Sequence, residues 1–503
     1  MGFRSASFFY VRRGGAAGSM AVQVSAIVFL AIATPACATE APGAAPAPNA
    51  VSSGALDDNP NVLLIAIDDL RPDLGVFGHP TAITPNIDEF AKTGLLFERA
   101  YTQQAVCGPS RAALMSGLRP ETTGITTLEQ PLQDTVPNVV SMAAMFKANG
   151  YETMSIGKIY HHRDDDKAAW TVPPSNTMFA YRNQLRKRGK PNNAFDAVEG
   201  EELLPDEKNA ARAIRELRRL KNEDKPFFMA FGVHRPHLPF EAPKAAWSLY
   251  QDKDIPDPVS RKPQKGAPDY AVVSYEIWNY DNMPKKPPMP EDLADQLRHG
   301  YLASVSFADG VVGSVLNELE KLELDDDTIV VLWSDHGFKL GDHGAWAKHS
   351  NVELDIHIPM LVRAPGRTPA GGRTKALVES VDIYPTLAEL TGLTPPDDLE
   401  GLSLTPLFSK PDRVWKEAAF SQFNRGGKNA ETLGRTVRTK DFRYTAWIEA
   451  NTGKMVAQEL YDHRNDPNEL VNVASDASYK AELARHEALR KSGWRAVRDR
   501  VAK

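Results

Sequence analysis

The chain of 503 residues contains only two cysteines, Cys37 and Cys107. One disulfide is the most they can form, which excludes a disulfide scaffold and any cysteine-rich metal cluster. Positive charge is not in excess: 59 Lys and Arg stand against 65 Asp and Glu, a net charge of −6. No basic domain stands out, so there is no electrostatic case for nucleic acid. The apolar run Ala21–Ala33 falls short of the roughly 20 residues that a membrane-crossing helix needs. No G-x-G-x-x-G follows the first strand-like segment, which argues against a dinucleotide cofactor, and no internal repeat is visible. What is present is a hydrophobic fraction of 42%, enough for packed cores and too much for wholesale disorder. The length allows more than one domain, because a single core rarely grows beyond about 250–300 residues.

The N-terminal segment reads as a targeting signal rather than fold. Arg4, Arg12 and Arg13 precede the apolar run, and Thr34-Pro35-Ala36-Cys37-Ala38 supplies small residues after it. That order predicts a secretory signal over residues 1–38 and a periplasmic or secreted location. Cleavage after Ala38 and lipidation of Cys37 both stay open, and a membrane enters only through the latter. Residues 39–60 read as an Ala/Pro-rich leader.

From Asn61 the texture changes. Val62–Ile67 is a continuous apolar run, and similar strand-like runs recur at Tyr151–Ile156, Phe227–Val233 and Thr328–Trp333. Such runs suit strands buried on both faces of a parallel sheet. Helical patterns alternate with them: Pro85 to Gly94, Pro137–Ala148, Asp206–Lys221 and Ala303–Leu322. The expected fold is α/β, a mainly parallel central sheet flanked by helices over residues 61–410. Pro-rich segments at Val172–Pro191 and Asp252–Pro290 read as surface insertions. Residues 411–503 read as a smaller α+β subdomain, with strands at Thr436–Trp447 and Lys454–Tyr461 and a charged helix over Ala477–Val501.

Polar residues follow the strand-like runs. Asp68 and Asp69 follow the first, Lys158 and His161 the second, His234 the third, Asp335 and His336 the fourth. Ligands of open parallel sheets bind beyond the carboxyl ends of the strands, so all of these face one rim. Any one of them alone reads as a surface loop residue or a helix cap. Four strand ends that carry Asp, Lys, His and Asp-His point to a shared site. Asp68, Asp69 and Asp335 offer hard oxygen ligands to a divalent cation, Ca²⁺ in first place and Mg²⁺ in second, whereas His336 is a less natural Ca²⁺ ligand. Lys158, Lys348 and Arg111 add positive charge. Acids that hold a cation inside a ring of bases suit a phosphate or sulfate ester. Cys107 precedes Pro109 and the run Ala112–Met115, at the expected start of a helix, where the dipole lowers a thiol pKa and favours a nucleophile.

Cys107-Gly108-Pro109-Ser110-Arg111, with Met115-Ser116-Gly117 downstream, resembles the C-x-P-S-R signature of the type I sulfatases. The resemblance runs from Asn61 to about Asn472 and implies the alkaline-phosphatase-like fold. Within the family it is most similar to the iduronate-2-sulfatase branch, through Asp68-Asp69-Leu70-Arg71-Pro72, Gly157-Lys158-Ile159-Tyr160-His161, His234-Arg235-Pro236-His237, Ser334-Asp335-His336-Gly337 and Trp346-Ala347-Lys348. Phe338, His349 and the region Pro173–Leu204 depart from that branch. The resemblance implies that a maturation enzyme converts Cys107 to formylglycine, whose hydrate attacks sulfur. It implies a cation held by Asp68, Asp69, residue 107, Asp335 and His336, and formylglycine hydroxyls held by Arg111 and Lys158. His234, helped by Lys348, would protonate the leaving sugar oxygen, and His161 would release sulfate by taking a proton from the second hydroxyl. The implied substrate is a sulfated, uronate-containing glycan. The rival readings are a phosphomonoester or phosphonate hydrolase of the same superfamily and a non-catalytic binder of sulfated glycans.

Overall fold

The computed structural model describes residues 59–161, 166–425 and 431–501. The expected signal over 1–38, Cys37 and nearly all of the leader lie outside the described residues. No described helix is long and apolar enough to cross a membrane.

Nine strands form the main sheet: β1 (Asn61–Ile67), β2 (Leu95–Tyr101), β3 (Glu152–Gly157), β4 (Val172–Ser175), β5 (Phe227–Val233), β6 (Thr328–Ser334), β7 (His357–Arg363), β8 (Gly372–Thr374) and β9 (Val378–Glu379). Their order is β8-β2-β7-β6-β1-β5-β3-β4, with β9 also beside β2. Only β7 runs against its neighbours, β2 and β6. The sheet is mixed and mostly parallel, as the alternation of strand-like and helical segments predicts.

The continuous apolar runs have a simple cause. Leu63, Ile65 and Ile67 of β1 enter one hydrophobic cluster, and Val62, Leu64 and Ala66 enter the other. Each face of the sheet has its own helical cover, so no position of β1 meets water. On one side lie the helices Pro205–Leu220 and Glu291–Lys321. On the other lies the helix Cys107–Ser116, all ten of whose residues are buried.

The structure moves several expected boundaries. The helix expected over Ala303–Leu322 starts at Glu291, because Pro290 suits the position just before a helix and Glu291 and Asp292 fill its first turn. The helix expected from Pro137 starts at Met142, where the Ser141 hydroxyl accepts the Ala144 N–H at 3.0 Å. The first Pro-rich segment is more than loop: it holds β4 and the helix Met178–Lys187.

The C-terminal region holds a separate antiparallel sheet in sequential order: β10 (Ala418–Arg425), β11 (Thr432–Thr439), β12 (Phe442–Glu449) and β13 (Met455–Asp462). The single strand expected over Thr436–Trp447 is therefore two, which turn at Lys440-Asp441. No glycine or proline marks that turn, so the alternating pattern reads straight through it.

Candidate active site

Strand register aligns the carboxyl ends. Ile67 of β1 pairs with Val233 of β5 and Ser334 of β6, and Gly157 of β3 pairs with Gly232 of β5. Asp68, Lys158, His234 and Asp335 thus leave four neighbouring strands side by side. Glycine makes the β3–β5 approach possible. A Cβ at Gly157, whose φ is +83°, would stand 1.9 Å from the Gly232 carbonyl oxygen, and one at Gly232 would stand 2.2 Å from that of Lys158.

Cys107 is the first residue of its helix and is 2% exposed. Its Sγ lies 3.4 Å from Asp68 Oδ1, 3.3 Å from His336 Nε2 and 3.7 Å from Lys158 Nζ. Two other signature residues secure the surroundings. Ser110 Oγ donates to the Asp335 carbonyl at 2.6 Å. Arg111, with no exposed surface, donates from Nε to Asp335 Oδ2 at 2.8 Å, lies 3.3 Å from Asp68 Oδ1, and also bonds the carbonyls of Lys158 and Ile159. Lys158 bonds Asp68 Oδ2. Lys348 reaches Asp69 Oδ2 at 3.0 Å. His161 lies half-buried beyond Lys158.

The electrostatics are those of a crowded carboxylate site. Burial opposes ionisation of Asp68, but the charges of Lys158 and Arg111 overcome it and hold its carboxyl well below the ordinary range. At Asp69 burial prevails. Lys348 opposes it, Asp68 and Glu276 reinforce it, and the carboxyl is pushed well above the ordinary range. Burial and the Asp68 carboxylate also push the Cys107 thiol well up. This reverses the expectation from the helix dipole, which the loss of water outweighs.

Candidate ligand atoms of Asp68, Asp69, Cys107 and His336 all lie within 4.8 Å of one another. The residues fit a divalent cation. Asp69 Oδ1 is buried without a hydrogen-bond partner, and Asp69 resists ionisation beside Asp68 until more positive charge arrives. Asp335 stands beside this group of four, its Oδ2 3.7 Å from His336 Nε2 and engaged by Arg111. Asp69 holds φ at +60°, and its backbone N–H donates to Asp335 Oδ1 at 3.1 Å. Left-handed backbone at a non-glycine residue costs energy and persists where surrounding bonds enforce it.

Other residues complete the site without having been singled out in sequence. Asp206 accepts from the backbone N–H groups of His234 and Arg235 at 2.9 and 3.0 Å and lies 3.2 Å from His234 Nδ1. In sequence it is only the start of a helix. His237, the second histidine of His234-Arg235-Pro236-His237, has its Nε2 3.1 Å from Lys348 Nζ. Lys348 therefore contacts His237, whereas His234 turns to Asp206. Glu276 lies 2.9 Å from Lys348, inside the second Pro-rich segment, where no periodicity signals it. Burial, with Lys348 next, keeps His237 well below the ordinary imidazole range, so it is neutral and accepts from the ammonium.

A family model described as "Sulfatase" matches residues 60–393. The chain belongs to the sulfatase family. As a sulfatase it is a sulfuric ester hydrolase. A second model, "N-sulphoglucosamine sulphohydrolase, C-terminal", matches residues 341–492. The sulfatase is 34% identical to iduronate 2-sulfatase of Mus musculus, over 86% of this chain and 94% of that one. Among solved structures it resembles BT4656 in complex with its substrate D-glucosamine-2-N,6-O-disulfate, with a TM-score of 0.70, 22% identity, and coverage of 86% of this chain and 97% of that one. It equally resembles the phosphonate monoester hydrolase of Agrobacterium radiobacter, with a TM-score of 0.70, 24% identity, and coverage of 87% and 95%. At these identities the two structures speak for the fold alone.

Proposed function

We propose that this enzyme hydrolyses the sulfate ester of a sugar in a uronate-containing glycan, in the manner of an iduronate-2-sulfatase, in the periplasm or outside the cell. The observation that carries the reading is Cys107 at a buried helix start, within hydrogen-bond reach of Asp68, His336 and Lys158. The similarity to iduronate 2-sulfatase supports the choice of sugar. Asp68, Asp69, His336 and residue 107, with Asp335 beside them, would hold a divalent cation, Ca²⁺ before Mg²⁺, which when bound draws charge from the sulfate oxygens. Residue 107, once a maturation enzyme has made it formylglycine, supplies an oxygen nucleophile.

The remaining roles follow from the side chains. Lys158 holds the hydroxyl of residue 107, and Arg111 fixes Asp335 and Asp68 around it. Lys348 remains charged, because Asp69 and Glu276 outweigh the effect of burial, and faces the sulfate. Asp206 engages His234 Nδ1, which leaves Nε2 to give a proton to the leaving oxygen. His161 takes the proton whose loss frees sulfate. The fold likeness to a phosphonate monoester hydrolase keeps a second reading, a phosphoryl or phosphonyl ester hydrolase, in the test.

Parallel assays on sulfated uronates, sulfated hexosamines and phosphate monoesters decide between them. The expected result is turnover of a sulfated uronate, lost in Cys107→Ala and after chelation. Dominant phosphate turnover refutes the reading. So does an unmodified Cys107 peptide by mass spectrometry together with undiminished activity in Cys107→Ala.

A further inference from the structure

Arg425 ends β10, and its guanidinium is packed between rings, 4.6 Å from the centroid of Phe423 and 5.9 Å from that of Trp447. Nε and Nη2 donate to the backbone carbonyls of Tyr270 and Ala271 at 2.6 and 2.9 Å. Nη1 makes no hydrogen bond among the described residues, and no carboxylate there pairs with the group. The acids that act on it at longer range, Asp355 and Glu459, bond other groups, although Asp355 Oδ1 is buried without a hydrogen bond. Asp355 bonds Lys339 and Ser350, and Glu459 accepts from Trp447 Nε1 and the Tyr461 hydroxyl at 2.7 Å each. A largely desolvated cation without a counter-ion is costly, and burial drags this guanidinium down to about 10.

A wall of side chains leads from this cation back to the active site. Phe423 lies 6.1 Å from the His349 ring, and His349 lies 4.4 Å from the ring of Tyr275. His349 directly follows Lys348, and Glu276, next to Tyr275, pairs with Lys348. His349 and Tyr275 feel the charges of both Lys348 and Arg425. The backbone of His349 is held at φ +81°, a strained conformation beside the candidate catalytic lysine. Phe423 and His349 are buried and back this wall, while Tyr275, 51% exposed, offers an aromatic face that suits the C–H face of a sugar ring. A cation at each end of the wall suits a sugar with two anionic groups.

We infer that Arg425 is a specificity determinant: its Nη1 edge receives a carboxylate oxygen of the sulfated substrate while Lys348 faces the sulfate. This rests on the uronate reading of the same site and adds the residue that reads the acid. One oxygen is the expected contact, since the Nε–Nη2 edge is occupied by the two backbone carbonyls.

The test uses the matured, cation-loaded enzyme and three disaccharides: a sulfated uronate, the same sugar with its carboxyl reduced to an alcohol, and the same uronate without the second sulfate on the neighbouring sugar. A charge-assisted hydrogen bond predicts that carboxyl reduction lowers wild-type kcat/KM by about 30-fold, and that in Arg425→Ala the same change costs less than about 3-fold. Arg425→Lys retains a cation and covers the case in which the alanine variant does not fold, with an expected intermediate penalty. An equal penalty in wild type and variants overturns the inference, as does a wild type indifferent to carboxyl reduction. A penalty that follows the second sulfate instead also overturns it. A wild type that cleaves sulfated hexosamines and no carboxylated sugar overturns the uronate reading, and this inference with it. A uronate cleaved without any dependence on Arg425 overturns the inference alone.

Discussion

Replacing Arg111 by methionine keeps most of the side-chain volume and removes one buried charge. The structure indicates the cost. The guanidinium has no exposed surface, engages Asp335 at 2.8 Å, lies 3.3 Å from Asp68 and bonds two backbone carbonyls. Its loss leaves carboxylate oxygens buried without that partner, a change worth about 3–5 kcal/mol. An unfolding entropy of about 1 kcal/mol/K, expected for a chain of this length, turns this into a fall in melting temperature of roughly 3–5 °C. The measurement is calorimetry in chelator and again in millimolar Ca²⁺. Cation bound to the native state adds stability by mass action and answers the same carboxylates, so the deficit should be larger in chelator than in Ca²⁺. A melting temperature unchanged within about 1 °C in chelator refutes the charge argument. An equal deficit in both buffers refutes the link between Arg111 and the cation site.

In Gly157→Ala the new Cβ meets the Gly232 carbonyl and the residue must keep φ at +83°, so Lys158 is displaced. Activity should fall by about 100-fold, and a variant with wild-type kcat would contradict the tight β3–β5 approach. In Asp206→Asn, His234 loses the partner that raises its pKa against burial. Burial already lowers the His234 pKa, so the basic limb of kcat is expected below the ordinary imidazole value and should move to still lower pH, with a roughly 10–100-fold loss of rate; an unmoved limb excludes His234 as the acid. Far from the site, burial opposes ionisation of Glu379, but Arg119 and Lys416 hold its carboxyl at about 2 against a usual 4.5. A depressed carboxyl stabilises above its unfolded value, and that stability is lost as pH falls through the folded one. The stability gap between wild type and Glu379→Gln should therefore be full at neutral pH and close between about 4.5 and 2, measured by denaturant titration at stepped pH. A gap independent of pH refutes it.

The central strands were readable because each buried both faces, which wrote nearly continuous apolar runs at β1, β5 and β6; β3, with Glu152, Thr153 and Ser155, showed through its short span before Gly157-Lys158. β2 and β7 escaped notice. Glu98-Arg99 interrupts the first, and Pro359 stands inside the second. The polar rim could be read because parallel strands put their following residues on one side, which is local information. His237, Glu276, Asp206 and Arg425 could not be read that way. Each acts on a residue far away in the chain, as Glu276 does on Lys348, and nothing in the neighbouring sequence depends on that contact. The hairpin turn at Lys440-Asp441 stayed hidden because no glycine or proline marks it and Asp441 alone is a weak turn signal.

The depth of Cys107 imposes an order of events. Cys107 is 2% exposed, the first residue of a helix buried along all ten of its residues, with its sulfur against Asp68 and His336 at the sheet's edge. No protein-sized catalyst can bring its own active site to that atom in the finished fold. Chemistry performed on this side chain by another enzyme has to occur on the nascent or unfolded chain, before β1 and β6 close over it. If activity needs that conversion, as proposed, molecules that folded without it should stay inactive however long they are later exposed to a modifying enzyme.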